Sequence, residues 1–339
     1  MALTKLHLEN FTVFDAIDLD FSKGINVFIG ENGIGKTHII KILYSACQAA
    51  QFKSTAIDFH KKLVRVFRPD EMALYRLARR GSGNSNAAIK VFSNNNSLSL
   101  SFSAKFKKNV KTLNHEAWER EFNTLTSTFI PAKEILSNSR NLVQAIDKGN
   151  VDFDDTYKDI ISAASLDISS GRDTAKRLKY LKSLQEITKG KVKIDNEKFY
   201  LLPPGKQSKL EFQLVAEGVR KIALLWQLIK NGTLENGSVL FWDEPEANIN
   251  PKHIPALVDM LLNLQKDGVQ IFIATHDYFF AKYLEVRKTI QHQVRYHALY
   301  KDGESVLCES AEGFELLENN EIINQSIKLY KEEVKKVME

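Results

Sequence analysis

Apolar positions in the first thirty residues recur in two rhythms. LTKLHLEN (3–10) alternates apolar and polar, and IDLDFSKGINVFIG (17–30) passes from alternation into an almost unbroken apolar run that stops at a glycine. Alternation marks a strand with one buried face, and a continuous run marks a strand covered on both. KTHIIKILYSACQAA (36–50) then carries its apolar residues at helical spacing, which completes a strand, loop, helix unit. AAIKVFSNNNSLSLSFSAK (87–105) reads as two period-two strands around an Asn-rich turn. From Pro131 to Lys189 the pattern turns helical. Short strands return at KVKID and KFYLLP, followed by the helix of LVAEGVRKIALL (214–225), the apolar strand SVLFW ending at Asp243, a helix opened by Pro251, the strand VQIFIATH, and a helix starting near Asp277. QHQVRYHALYKDGESVLCES (291–310) reads as a last hairpin before a charged closing helix. Strands alternating with helices predict an α/β fold with a mostly parallel, covered sheet, an antiparallel β region and a helical insertion. The expected divisions are 1–130, a helical insertion over 131–190, and 191–339.

Composition narrows the class. With 339 residues, 43% of them hydrophobic and 26% charged, the chain can bury a sizeable core. No apolar run reaches the roughly 18 residues of a membrane span, and MALTKLHLEN lacks the order of a secretory signal, so a cytoplasmic protein without a membrane partner is expected. Cys47 and Cys308 have no CxxC or Cys/His neighbourhood and read as reduced thiols. A net charge of +5 is no nucleic-acid signature by itself. Two basic clusters, RVFRPDEMALYRLARR (65–80) and KFKKNVK (105–111), read first as solvated faces and second as phosphate contacts. SGNSNAAIK and SNNNS read as mobile loops.

The chemistry sits at the strand ends. GENGIGKT fits GxxxxGK[ST], in which glycines let successive backbone N–H groups point at an anion and the following helix adds its positive end. Gly30, Glu31, Asn32, Gly33, Ile34, Gly35, Lys36, Thr37 and His38 are therefore the expected phosphate-binding residues, with Lys36 against the β and γ phosphates and the Thr37 hydroxyl on Mg2+. In VLFWDEPEAN (239–248), Asp243 is placed to hold the magnesium water shell and Glu244 to polarise an attacking water. Two adjacent carboxylates at a buried strand end repel unless a cation lies between them. His276 closes the next strand; alone it would read as an ordinary polar residue, but beside the acidic strand end it reads as a γ-phosphate sensor.

The order GENGIGKT, LVAEGVRK, FWDEPEANINP, ATHD resembles the phosphate loop, signature helix, Walker B, D-loop and switch histidine of ABC-type ATPases, most of all the soluble branch with RecF, SMC and OLD-type proteins. The resemblance covers about 1–50 and 205–285, including the opening LTKLHLENFTVFDAIDLDFSKGINVFIGENG. It implies that two copies sandwich ATP and Mg2+, that Glu217, Gly218 and Asn250 are nucleotide-binding residues, and that Gly218 completes the other copy's site, standing where Ser, Thr, Asp or Asn would cap better in order to present bare N–H groups to a phosphate from outside. FIPAKEIL (129–136) resembles a segment of small bacterial "AAA family" ATP-binding proteins, several of which are ATPase components of anti-phage modules; the ATPase subunit AriA of the PARIS system is one candidate relative. Two departures stand out: Ala216 occupies the position of a signature serine, and no glutamine lies between Gln51 and Gln144 to serve as a Q-loop. The expected function is a nucleotide-dependent ATPase switch, dimeric or a higher homo-oligomer, acting on a separate nuclease or toxin effector. DNA binding as in RecF/SMC repair, or a non-hydrolysing ATP clamp, are the alternatives. The helical middle is the expected docking surface.

Overall fold

Residues 2–49, 57–81, 86–105, 110–168 and 173–338 are described by the computed structural model. In chain order, β1 (Leu3–Phe11), β2 (Phe14–Asp20) and β3 (Ile25–Ile29) lead into α1 (Lys36–Gln48) and α2 (Phe59–Phe67). There follow β4 (Asn86–Ser93), β5 (Ser97–Ser103), β6 (Val110–Leu113), α3 (His115–Phe122) and β7 (Ser127–Ile130). The middle contributes α4 (Leu142–Asp147), α5 (Asp155–Ala164), α6 (Ala175–Thr188), β8 (Lys191–Asp195), β9 (Lys198–Leu202) and β10 (Leu210–Glu211). The last part runs α7 (Glu217–Lys230), β11 (Val239–Asp243), α8 (Ile254–Lys266), β12 (Gln270–Ala274), α9 (Tyr278–Arg287), β13 (Val294–Asp302), β14 (Ser305–Ala311) and α10 (Glu321–Met338).

The central sheet has the order β14-β13-β3-β12-β11-β7, parallel throughout except for the antiparallel edge strand β14. Its apolar strands are buried on both faces because each alternate set of side chains meets a different core. Val27, Leu240, Trp242, Ile271 and Ile273 face a cluster shared with α5, α6, α7 and α8. Phe28, Val239, Phe241 and Phe272 face a second cluster with α1, α2 and the antiparallel sheet β2-β1-β4-β5-β6. Phe241 and Phe272 stack across adjacent strands with ring centres 5.2 Å apart.

Several expectations need adjustment. IDLDFSKGINVFIG is two strands in two sheets: the chain leaves β2 after Asp20, Asn26 accepts a hydrogen bond from Ser22 N at 2.8 Å, and β3 enters the parallel sheet. The 93–97 turn is tied down by Ser93, whose Oγ accepts from Asn96 N and donates to Glu121 Oε2. Positions 82–85 and 106–109 of the expected loops and basic run lie outside the described residues. The helices of 131–190 share the first core, where Ile160, Ile161, Leu181 and Leu184 pack with α7 and the central strands. Among the described residues no helix is long and apolar enough to cross a membrane.

One buried side chain joins the two large sheets. Gln270, which opens β12, accepts from Leu3 N at 2.9 Å and donates to Leu3 O at 2.8 Å and Ser22 O at 2.9 Å. Its amide pairs the start of β1 with β12 and shares Ser22 O with Asn26 Nδ2, which also donates to it at 2.9 Å.

Candidate active site

The C-terminal ends of the parallel strands β3, β11 and β12 lie side by side, and the loops that leave them form the site. After β3 the chain turns through Gly30, Gly33 and Gly35, all with positive φ (141°, 77° and 101°). A side chain at Gly30 would meet Leu299 O at 2.4 Å, and one at Gly35 would meet the Phe14 ring at 2.5 Å, so packing as well as backbone conformation requires glycine there. Glu31, Asn32 and Gly33 are exposed at the loop tip, while Ile34 anchors the loop in the core. Helix α1 begins at Lys36 with no side-chain cap, so its first N–H groups stay available to the loop's concave side.

Lys36 is buried, and its Nζ donates to Gly30 O and Glu31 O, each at 2.7 Å. Burial draws its pKa down, against the pull of Glu244, Asp243, Glu246 and Glu31. Thr37 Oγ1 donates to both Asp243 oxygens, at 3.0 and 3.1 Å, joining the phosphate loop to the acidic strand end. Burial raises the Asp243 carboxyl to about 6, with Glu244 adding to the rise and Thr37, Lys41 and Lys36 opposing it. Glu244 adopts φ 48°, a strained conformation for a non-glycine residue, and its N–H donates to Ala274 O at 2.8 Å. This turn brings Glu244 Oε1 to 3.2 Å from His276 Nδ1. The phosphate loop, Asp243, Glu244 and His276 are therefore assembled as the strand order predicts.

Other expected residues are placed differently. His38 Nδ1 lies 3.0 Å from Thr12 Oγ1 and its ring packs on Phe67; burial lowers its pKa to about 4, so it is a neutral wall residue. Asn250 accepts from Lys252 N at 3.1 Å and caps the short turn before α8. Gly218 does not precede its helix: α7 starts at Glu217, with Ala216 as an uncapped N-cap. Gly218 is buried, and a Cβ there would meet Asn248 O at 2.3 Å and Ile249 Cα at 2.9 Å. Its bareness is demanded by the chain's own 244–249 turn, which corrects the expectation that it serves an approaching phosphate alone. The exposed edge of this turn is made instead by Ala216 and by Leu214, whose side chain is 70% exposed.

Three features escaped the sequence reading. Glu246 is 8% exposed; its Oε1 accepts from Thr275 Oγ1 at 2.6 Å, and burial raises its carboxyl to about 7. Lys221, in the second turn of α7, is 1% exposed and donates to Glu244 O at 3.3 Å. Arg220 pairs with buried Glu134, in the segment after β7, at 2.6 Å, and its guanidinium also donates to Phe212 O and Val215 O. The segment following β7, where a Q-loop glutamine is missing, thus reaches the signature helix through an ion pair. A third acid within DEPE and two bases within EGVRK were the available signals, and only the folded chain brings them together.

Three of the five arginines of the 65–80 cluster are engaged within the chain. Arg68 pairs with Asp152, Arg76 with Asp70 at 3.2 Å, and Arg79 donates to Glu304 O at 2.9 Å.

A phosphate loop, an acidic strand end and a histidine on adjacent parallel strands define a P-loop ATPase head of the ABC type. The family described as "AAA domain, putative AbiEii toxin, Type IV TA system" matches residues 25–281, and the chain belongs to it. The fold is that of SMC heads. The structure titled SmcHead bound to the C-winged helix domain of ScpA superposes with a TM-score of 0.57 at 12% identity, covering 92% of this chain and 98% of that one. The Smc head with an extended coiled coil bound to the C-terminal domain of ScpA, derived from Pyrococcus furiosus, gives a TM-score of 0.56 at 10% identity over 98% and 99%. Among curated relatives, the DNA replication and repair protein RecF of Streptococcus suis is 36% identical over 83 residues, 24% of this chain and 22% of RecF. RecF of Mannheimia succiniciproducens is 40% identical over 55 residues, 16% and 15% of the two chains. The chain thus matches less than a quarter of the length of these relatives.

Proposed function

We propose that the chain binds and slowly hydrolyses ATP with Mg2+, and that two copies close around the nucleotide as a switch for a separate effector. The observation that carries this reading is the direct Thr37–Asp243 contact at 3.0 Å beside the Glu244–His276 contact at 3.2 Å. The donor set fits both groups. The Thr37 hydroxyl and the Asp243 carboxylate are hard oxygens at hydrogen-bond separation, and Mg2+ takes few protein ligands of this kind beside water and phosphate oxygens. The buried Asp243 carboxylate, which burial leaves short of a balancing charge, and the uncapped N-terminus of α1 suit a cation and an anion respectively. Bound Mg2+ would neutralise phosphate charge.

The chain's own residues supply the rest. Lys36 has its ammonium at the loop's centre, where it can exchange carbonyl oxygens for phosphate oxygens. Glu244 accepts a proton from the attacking water, and His276 fixes the orientation of its carboxylate. Glu217 and Gly218 lie ahead of the first N–H that bonds within α7, that of Val219 to Ala216 O at 3.0 Å, so their own N–H groups can face a neighbouring copy's phosphate.

The description of the family names a toxin and a Type IV TA system, which supports a place in a toxin module; a nuclease or toxin as separate effector, and an anti-phage setting, belong to the proposal. The engagement of Arg68, Arg76 and Arg79 within the chain favours a protein output over DNA. The short RecF matches keep a repair role as the second reading.

Single-turnover ATP hydrolysis tests the core of this reading. Glu244→Gln should slow the chemical step at least a hundredfold while retaining nucleotide binding, and Lys36→Ala should abolish binding in a fluorescent-nucleotide titration. Equal rates for wild type and Glu244→Gln would leave only an ATP-dependent clamp.

A further inference from the structure

Gly218 and Lys221 stand three residues apart on α7 and therefore on one face of the helix. Both address the same short turn. Gly218 lies against the backbone of Asn248 and Ile249, and Lys221 Nζ reaches Glu244 O at 3.3 Å. Glu244 O also accepts from Ala247 N at 3.1 Å, and Glu246 O accepts from Ile249 N at 2.9 Å, so the turn is closed by its own hydrogen bonds and gripped from outside by α7.

A lysine with 1% exposure is costly unless its charge is balanced. Desolvation lowers its pKa, while Glu217, Glu246, Glu244 and Asp243 favour the charged form. No carboxylate of the described residues comes within ion-pair distance of Lys221 Nζ; the recorded partner is a main-chain carbonyl, that of the strained residue Glu244. An apolar side chain would fill this position more cheaply. The cost implies that the ammonium is retained for what it holds.

We infer that Lys221 is a positioning residue: from the second turn of α7 it fixes the main chain of Glu244, so that the carboxylate stays beside His276 and the signature helix and the catalytic turn move as one body. The inference deepens the ATPase reading and rests on it for its kinetic part, while its structural part stands independently. Glu246, held by Thr275 at 2.6 Å, braces the same turn from the β12 side. A signal received at the N-terminus of α7 therefore reaches Glu244 through a hydrogen bond and a backbone contact.

Two measurements on the full chain test this. In nucleotide-free protein, amide hydrogen exchange should be at least tenfold faster over 244–249 in Lys221→Met than in wild type, with α1 unchanged. In single-turnover assays the same variant should lose at least tenfold in rate constant while its affinity for nucleotide stays within twofold, and Lys221→Gln, which keeps an N–H donor, should recover part of the loss. Thermal melting monitors folding, and if Lys221→Met does not fold, Lys221→Gln against wild type decides by the same two readouts. Unchanged exchange over 244–249 would overturn the inference. So would a rate within twofold of wild type. Faster exchange in Lys221→Met, in a protein whose wild type turns over no ATP, would support the structural clamp and reject the ATPase reading instead.

Discussion

Glu246 shows how much a single buried carboxyl can govern. Its pKa of about 7 in the folded protein lies above the ordinary glutamate value of 4.5, mainly because burial disfavours the charge. The native state therefore holds this proton more tightly than the unfolded chain. The stability it contributes is complete below about pH 4.5 and is lost as pH rises through 7. Glu246→Gln keeps an oxygen for Thr275 and removes the titration. Urea unfolding at pH 5 and pH 8 should show the variant gaining on wild type by about 2.5 kcal/mol across that interval. A constant difference between the two proteins would mean that water reaches the carboxyl.

At the scale of elements, the first turn of α7 carries the clearest lesson. A glycine behind an acid at a helix start reads naturally as an anion site, and the N–H groups of Glu217 and Gly218 remain suited to one. The folded chain adds a nearer reason: the 244–249 turn sits where a Cβ would be, 2.3 Å from Asn248 O. Gly218→Ala should therefore destabilise the protein by about 1–3 kcal/mol in denaturant unfolding even without nucleotide. A loss below a few tenths of a kcal/mol would return the glycine to a purely external role. The placement of the 30–37 glycine loop, the acidic end of β11 and His276 at adjacent strand ends was legible because each is a local string attached to an apolar strand of recognisable period. The Lys221–Glu244, Glu246–Thr275 and Arg220–Glu134 contacts were not, since each joins segments 23 or more residues apart, and no local period records which face of α7 meets which turn. The break between β2 and β3 was hidden for a related reason. Phe21 keeps the apolar rhythm through the corner because it packs edge-on against Phe272 at 5.2 Å, in the core between the two sheets.

For the whole molecule, two cores gather most of the apolar side chains, and exposed ones such as Leu214, Phe279 and Ile290 are scattered over the surface, but the end of the chain concentrates them. No residue of α10 is buried, and Ile327, Leu329, Tyr330, Val337 and Met338 are each exposed. Only Ile322 and Ile323 pack against the first core. Removing residues 325–338 should therefore leave the melting temperature within about 2 °C of wild type. A larger drop would show that the helix is covered in solution.

Gln270 sets the mechanical character of the rest. Three hydrogen bonds from one amide rivet β1 and the end of β2 to β12, in a place too dry for water to take over if the rivet is drawn. The antiparallel sheet and the nucleotide strands cannot slide along each other without breaking it. That flank is a fixed bearing, set apart from the side on which α7 meets the 244–249 turn through Lys221.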